Sequence, residues 1–175
     1  MKVWLRVDDR FIHGQVLVGW VQVLGLDGII VANKAFLFDD ARRRFLRNIV
    51  PTHIFLDFVE PEKVMESLKR AEEENKSKVL VLVGDPFDAL KVLEAGLKVD
   101  SVNIGGMHYQ EGREKIGENV FATQKEVEYL EKISSLRVEL DSRAIPLGKK
   151  TNFAPILKDY IRKKSRSASK GIWRK

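Results

Sequence analysis

From Val3 to Ile104 the chain repeats one pattern: a short apolar run of strand length, then a segment of helical periodicity. The runs are Val3–Val7, Gly28–Val31, His53–Phe58, Lys78–Val83 and Ser101–Ile104. Between them lie helical patterns at Gln15–Leu24, Asp39–Ile49, Glu62–Glu74 behind Pro61, and from Asp85-Pro86 to a glycine stop at Gly96. Lys78–Val83 is almost wholly apolar, as expected of a strand buried on both faces of a parallel sheet. Further on, Asn119–Ala122 reads as a short strand, and Thr123 caps a helix through Lys132. Arg137–Ile145 reads as a last strand and Thr151–Lys164 as a final helix, with Ser165–Lys170 polar enough to fray. This alternation predicts an α/β fold: three layers around an open, doubly wound, mostly parallel sheet. The expected division is one domain over residues 1–160 and a basic tail over 161–175.

The densest chemistry sits at the first strand-to-helix junction, Arg6-Val7-Asp8-Asp9-Arg10-Phe11-Ile12-His13-Gly14-Gln15. The carboxyl end of a strand and the amino end of a helix is where α/β proteins bind ligands, and free amides there favour an anion. Arg6 and Arg10 add fixed positive charge, and His13 stands where an imidazole can carry a phosphoryl group. On these grounds alone the alternative is a surface histidine near a helix cap. Asp8 and Asp9 are read equally as groups that orient the imidazole or hold an arginine, and as turn and cap residues. Phe11 and Ile12 are expected as exposed partner contacts, with burial against the sheet as the alternative.

The net charge of +6 is misleading, because residues 158–175 carry eight Lys and Arg against one acid and the remaining body is close to neutral. A basic tail suits an anionic lipid or an acidic partner, or it simply aids solubility. The body shows neither a basic excess nor an RNA-binding motif, so nucleic acid is not expected as a partner. The Arg42-Arg43-Arg44 run with Arg47 is read as a docking face or a solvated one. With no cysteine and three scattered histidines, neither a disulfide nor a metal site is expected. Gly148-Lys149-Lys150-Thr151 imitates the end of a P-loop, but Arg143 occupies the first glycine position. No signal-peptide pattern or membrane-spanning apolar run is present, so a soluble intracellular protein is expected.

Residues 6–16 closely resemble the active-site signature of one phosphotransferase family. It is the IIB component of the mannose/fructose/sorbose class of the bacterial phosphoenolpyruvate-dependent sugar phosphotransferase system. A second match lies in Val102-Asn103-Ile104-Gly105-Gly106-Met107-His108-Tyr109 with Glu111-Gly112, and a weaker one in Arg143-Ala144-Ile145-Pro146. The resemblance spans roughly residues 1–150 in consistent order.

It implies a cytoplasmic phosphohistidine carrier, associated with the inner face of the membrane through its transporter. His13 would take a phosphoryl group from a IIA protein and pass it to a sugar held by a membrane IIC/IID transporter. Arg10 is expected to serve catalysis, with Arg6 and the Gly14 and Gln15 amides as phosphate binders. Asp8, Asp9, Asn33, Gly105, Gly106 and His108 are expected at the rim, the two glycines as a sharp turn. No cofactor is implied, and a homodimer is left open. The chain departs from the family pattern in the Lys34 that follows Asn33 and in its basic end through Trp173-Arg174-Lys175. A second reading keeps the phosphorylatable histidine in a regulatory protein uncoupled from sugar transport.

Overall fold

The computed structural model describes the backbone of residues 1–172 and the side chains of residues 1–166, so the basic end at 173–175 lies outside the described residues. Its strands are β1 (Lys2–Asp8), β2 (Gly28–Ala32), β3 (Phe55–Val59), β4 (Lys78–Val83), β5 (Ser101–Gly106), β6 (Glu114–Gly117), β7 (Val120–Ala122) and β8 (Glu139–Asp141). Six of them form a sheet in the order β3-β2-β4-β1-β5-β8, every pairing parallel, while β6 and β7 make a small antiparallel hairpin. The helices are α1 (Asp40–Ile49), α2 (Val64–Glu73), α3 (Pro86–Glu94), α4 (Gln124–Ser135) and α5 (Ala154–Ile172). A π-helical segment, Gln15–Gln22, follows β1.

Strand alternation sorts the core into two faces. Leu5, Val7, Val79, Val81 and Val83 point to the side covered by α2, α3, α4 and α5. Ile29, Val31, Leu80 and Leu82 point to the other side, against the π-helical segment and α1. Residues Val79 to Val83 are all fully buried, as the apolar run in the sequence requires. Each such side chain stabilises the fold by about 1.5–3 kcal/mol. Because β1 leads to one face and β4 to the other, a crevice opens above the carboxyl ends of the central strands.

Several boundaries differ from the sequence reading. Gly105 and Gly106 end β5 rather than forming a sharp turn, and a register shift against β1 takes up the extra residue. The strand read over 137–145 shrinks to β8, since Arg143 and Ala144 turn back toward β5 and the π-helical segment. The strand read from His53 begins at Phe55. A 3₁₀ turn at Lys34–Phe38 and strand β6 were not legible. The final helix starts at Ala154 and is helical through Ile172, past the serines where fraying was expected, and residue 160 lies inside it. Thr123 does cap α4, in a reciprocal capping box with Glu126.

Candidate active site

The loop after β1 is built around one bulky residue in a left-handed backbone conformation. Phe11 has φ +57°, and its amide closes a turn by donating to the Asp8 carbonyl at 2.9 Å. Such a backbone costs about 1–2 kcal/mol for a non-glycine residue. The ring more than offsets this, since burying a phenylalanine stabilises by about 1.5–3 kcal/mol. It packs edge-on to Phe36 at 4.8 Å and over Gly84, where a Cβ would come within 2.7 Å of it. Phe11 and Ile12 are therefore core residues, 6% and 4% exposed, and the expectation of exposed partner contacts is corrected. Anchored so, the loop returns His13 over the end of β1.

Asp8 is the hub. Its Oδ2 accepts from Arg6 Nη2 at 2.8 Å and faces His13 Nε2 at 3.0 Å, while Oδ1 accepts from the Arg10 amide at 3.2 Å. Burial alone would raise the Asp8 carboxyl. The His13 hydrogen bond and the charge and hydrogen bond of Arg6 outweigh it and hold the group below its ordinary value. An ionised Asp8 only accepts, so the neutral imidazole carries its proton on Nε2 and keeps the Nδ1 lone pair. His13 is 18% exposed, Asp8 and Arg6 not at all.

Arg6 lies flat inside the protein. Nη1 donates to Asn103 Oδ1 and Nη2 reaches Gln15 Oε1 at 3.3 Å as well as Asp8. Its guanidinium fills the space above Gly105, where a Cβ would stand 1.9 Å from Arg6 Cζ. The Trp20 ring covers it, with Cζ 4.9 Å from the centroid. Gln15 and Trp20 are five residues apart, and the wide π-helical turn brings both onto the same arginine. Burial lowers the Arg6 pKa from its ordinary value, against the pull of Asp8. Asn103 passes the network on, its Nδ2 donating to the carbonyls of Asp141 and Arg143.

Asp9 serves a second histidine. Its Oδ1 faces His108 Nδ1 at 2.6 Å, and its Oδ2 accepts from the His108 amide at 2.8 Å and from Arg113 Nη1 at 3.0 Å. Arg113 in turn forks onto both carboxylate oxygens of Glu126, the residue that completes the α4 capping box. His108 Cε1 and Asp8 Oδ1 lie 3.1 and 3.3 Å from one point, the place of a Gly106 Cβ, so the second ring stands beside the first aspartate.

Thus Arg6, Asp8, Asp9, Arg10, His13, Gly14, Gln15, Gly105, Gly106 and His108 gather at the carboxyl ends of β1 and β5. Arg10 is half exposed at the mouth, its Nε 3.6 Å from Asp8 Oδ1. Gly14 faces open space, and the Gly14 and Gln15 amides stand at the opening of the π-helical segment, with no preceding turn to accept them. Arg6, expected to bind phosphate, instead has protein acceptors on both terminal nitrogens. Asn33 is not brought to the histidine. It follows β2 as the cap of the 3₁₀ turn, with β4 between that strand and β1, accepts from the Ala35 amide and donates to Asp88 at 2.7 Å. Sequence reasoning missed the parts played by Asn103, Arg113 and Glu126. Asn103 sat inside the second motif and Glu126 completes a Thr-x-x-Glu capping signature, but nothing local marks Arg113 or its link to Asp9. Among the described residues no group of three or more histidines and acids is placed to hold a metal ion, and no helix is long and apolar enough to cross a membrane.

Comparison with known proteins finds relatives of nearly the whole chain. The family described as "PTS system sorbose subfamily IIB component" matches residues 2–169. The chain is 31% identical over 160 residues to the fructose-specific EIIB component of Bacillus subtilis, covering 91% of this chain and 98% of that one. It is 27% identical over 152 residues to the mannose-specific EIIAB component of Escherichia coli, covering 87% of this chain and 47% of that longer protein. The crystal structure of the IIB domain of the sorbose permease from Klebsiella pneumoniae superposes with a TM-score of 0.81 at 27% identity. That match covers 91% of this chain and 98% of that one.

Proposed function

The chain belongs to the sorbose subfamily of phosphotransferase-system IIB components, and on that footing we propose that it is a phosphohistidine carrier in sugar uptake, with His13 Nδ1 as the carrying atom. The observation that supports this most directly is the His13 Nε2 to Asp8 Oδ2 contact at 3.0 Å. It ties the imidazole down by one nitrogen and leaves the other nucleophilic toward the crevice.

In the first half-reaction the Nδ1 lone pair attacks the phosphorus of a phosphohistidine on a IIA protein. One N–P bond forms as the donor's N–P bond breaks, and the Nε2 proton stays on the Asp8 hydrogen bond throughout. Little covalent help is needed, so positioning and charge dominate. Arg10, half exposed at the mouth and only loosely paired with Asp8, is the side chain to bind equatorial phosphate oxygens, and the Gly14 and Gln15 amides supply further donors. Arg6 acts one step behind: it holds Asp8 ionised and in place while its own charge balances that carboxylate. In the second half-reaction a sugar hydroxyl held by a membrane IIC/IID transporter attacks the phosphorus. The N–P bond breaks, the hydroxyl proton is released, and His13 returns to its neutral form. The protein would work at the cytoplasmic face of the membrane, beside that transporter.

The test is a phosphoenolpyruvate-driven relay ending in IIA donors of the mannose, fructose and sorbose types, read by intact mass. Wild type should gain one acid-labile phosphate and His13→Ala none, with ³¹P NMR of the product showing an Nδ1-linked phosphate. A phosphate retained by His13→Ala, or an Nε2 linkage in wild type, would overturn the assignment.

A further inference from the structure

The second half-reaction leaves one proton without an acceptor. A sugar hydroxyl that attacks phosphorus gives up its proton, whereas transfer from one histidine to another moves none. Asp8 is poorly placed to take it, being fully buried and already facing Arg6, His13 and the Arg10 amide. Asp9 accepts on Oδ2 from the His108 amide and Arg113, and on Oδ1 it meets the His108 ring. Gln15 Oε1 accepts from Arg6. Besides His13 itself, His108 alone among the side chains gathered at the crevice brings an imidazole, and its Nε2 has no protein partner among the described residues.

His108 stands just beyond β5, where the strand leaves the sheet. The carbonyl of its neighbour Met107, itself fully buried, accepts from the Phe121 amide at 2.8 Å, which ties this backbone to β7 and leaves the next side chain facing outward. The ring is half exposed, yet its Nδ1 lies 2.6 Å from Asp9 Oδ1. Asp9 is clamped in turn by Arg113, only 7% exposed, which forks onto Glu126 in the α4 capping box. A carboxylate oxygen only accepts, so Nδ1 carries the proton of the neutral ring and Nε2 keeps a lone pair. A carboxylate that orients an imidazole whose far nitrogen is open is the arrangement by which histidines draw protons from alcohols. The ring also stands close to the reacting group. Only the missing side chain of Gly106 separates His108 Cε1 from Oδ1 of Asp8, the aspartate that holds His13.

We propose that His108, oriented by Asp9, is the general base of sugar phosphorylation. The inference rests on His13 being the carrier and adds the group that deprotonates the acceptor. As the sugar oxygen bonds to phosphorus, its proton passes to His108 Nε2. The Nδ1–P bond of His13 breaks and its electron pair returns to His13 Nδ1. The His108 imidazolium then releases its proton to water at the open mouth. The charged groups around this ring are Asp8, Asp9 and Arg10 from the loop after β1, with Arg113 and Glu126 behind Asp9.

The test separates the half-reactions in His108→Asn, whose amide can still donate to Asp9 from the place of Nδ1 but puts no atom at Nε2. Phosphorylation by the IIA relay is followed by rapid quench. Transfer is then followed from the isolated phosphoprotein to radiolabelled fructose, mannose or sorbose on membrane vesicles bearing the matching IIC/IID transporter. Expected are a fall of about 10²-fold in the second rate and a change of less than about threefold in the first. The second rate of wild type should also rise with pH across the ordinary imidazole range of about 5.5–7.5, and that of the variant should not. An undiminished second rate in His108→Asn would overturn the proposal, because the proton then leaves by another route, to the transporter or to water. Equal losses in both half-reactions would overturn it too, marking His108 as a phosphate ligand or a structural support. Either result leaves the carrier reading intact. A wild type that takes phosphate from IIA and yields it to none of these sugars would sink the sugar-transfer reading and the base with it. One that takes no phosphate would sink the carrier reading as well.

Discussion

Replacing Gly105 by alanine tests the arrangement that holds Asp8. The new Cβ would stand 1.9, 2.0 and 2.3 Å from Cζ, Nη1 and Nη2 of Arg6, far inside contact distance. The guanidinium has nowhere to retreat, because Trp20 covers it and its two terminal nitrogens are engaged by Asp8, Asn103 and Gln15. Either β1 and β5 part or Arg6 leaves its partners. Breaking a buried charged pair on one side costs about 3–5 kcal/mol. For a domain of this size that corresponds to a fall in Tm of roughly 10–15 °C. Urea unfolding followed by circular dichroism should show that loss, with phosphorylation of the folded fraction also slowed. The decisive comparison is the double-mutant cycle with Arg6→Ala. Once the guanidinium is gone the slot is empty, and Gly105→Ala should then cost less than about 1 kcal/mol, a coupling of at least about 2 kcal/mol. Equal costs in both backgrounds would refute the idea that Gly105 exists to admit Arg6.

Other outcomes follow from the same contacts. Asp8→Asn presents an NH₂ group to a site where Arg6, the Arg10 amide and His13 all donate, so phosphorylation should fall by roughly 10²-fold or more in quench-flow; a loss under threefold would contradict the orienting role. Phe11→Ala should lower stability by about 3 kcal/mol in urea titrations, a value typical of an emptied aromatic site; slowed phosphoryl exchange with unchanged stability would restore the partner-contact reading. Burial and the neighbouring Asp85 push the Asp88 carboxyl up to about 6. A carboxyl whose folded pKa exceeds its unfolded value weakens the fold as pH rises from about 4 to about 6. Asp88→Asn should therefore stabilise the protein at pH 7, by an amount on the order of 1 kcal/mol, and do little at pH 4; destabilisation at pH 7 would count against it. For Asp8 the sign is opposite. Its folded pKa is depressed, so its contribution is present above the unfolded value and lost as pH falls through the folded one.

The architecture was readable because its signals are local. A continuous apolar run at Lys78–Val83 admits few folds, and caps such as Thr123 and Asp85 announce helix starts in the chain itself. His13 was readable for the same reason, since its loop, strand and helix are contiguous. The rest depends on distance in sequence. Arg113 meets Asp9 across 104 positions and Asn103 meets Arg6 across 97, separations over which single-chain periodicity carries no information. Gly105-Gly106 looked like a turn because paired glycines usually are one. Here Gly105 is small because a side chain from the next strand occupies its space. Phe11 looked exposed because it sits in a loop, and only the fold shows Gly84 and Phe36 closing over it.

Asp8 and Asp9, consecutive at the end of one strand, grip two imidazoles by opposite nitrogens, His13 through Nε2 and His108 through Nδ1. In their neutral forms the two rings are thereby locked into opposite prototropic forms. The two rings are thus chemically distinguishable from one another. In a ring-¹⁵N spectrum one imidazole should read as the τ tautomer and the other as the π tautomer, so that each reports separately when a phosphoryl group or a proton arrives at the crevice.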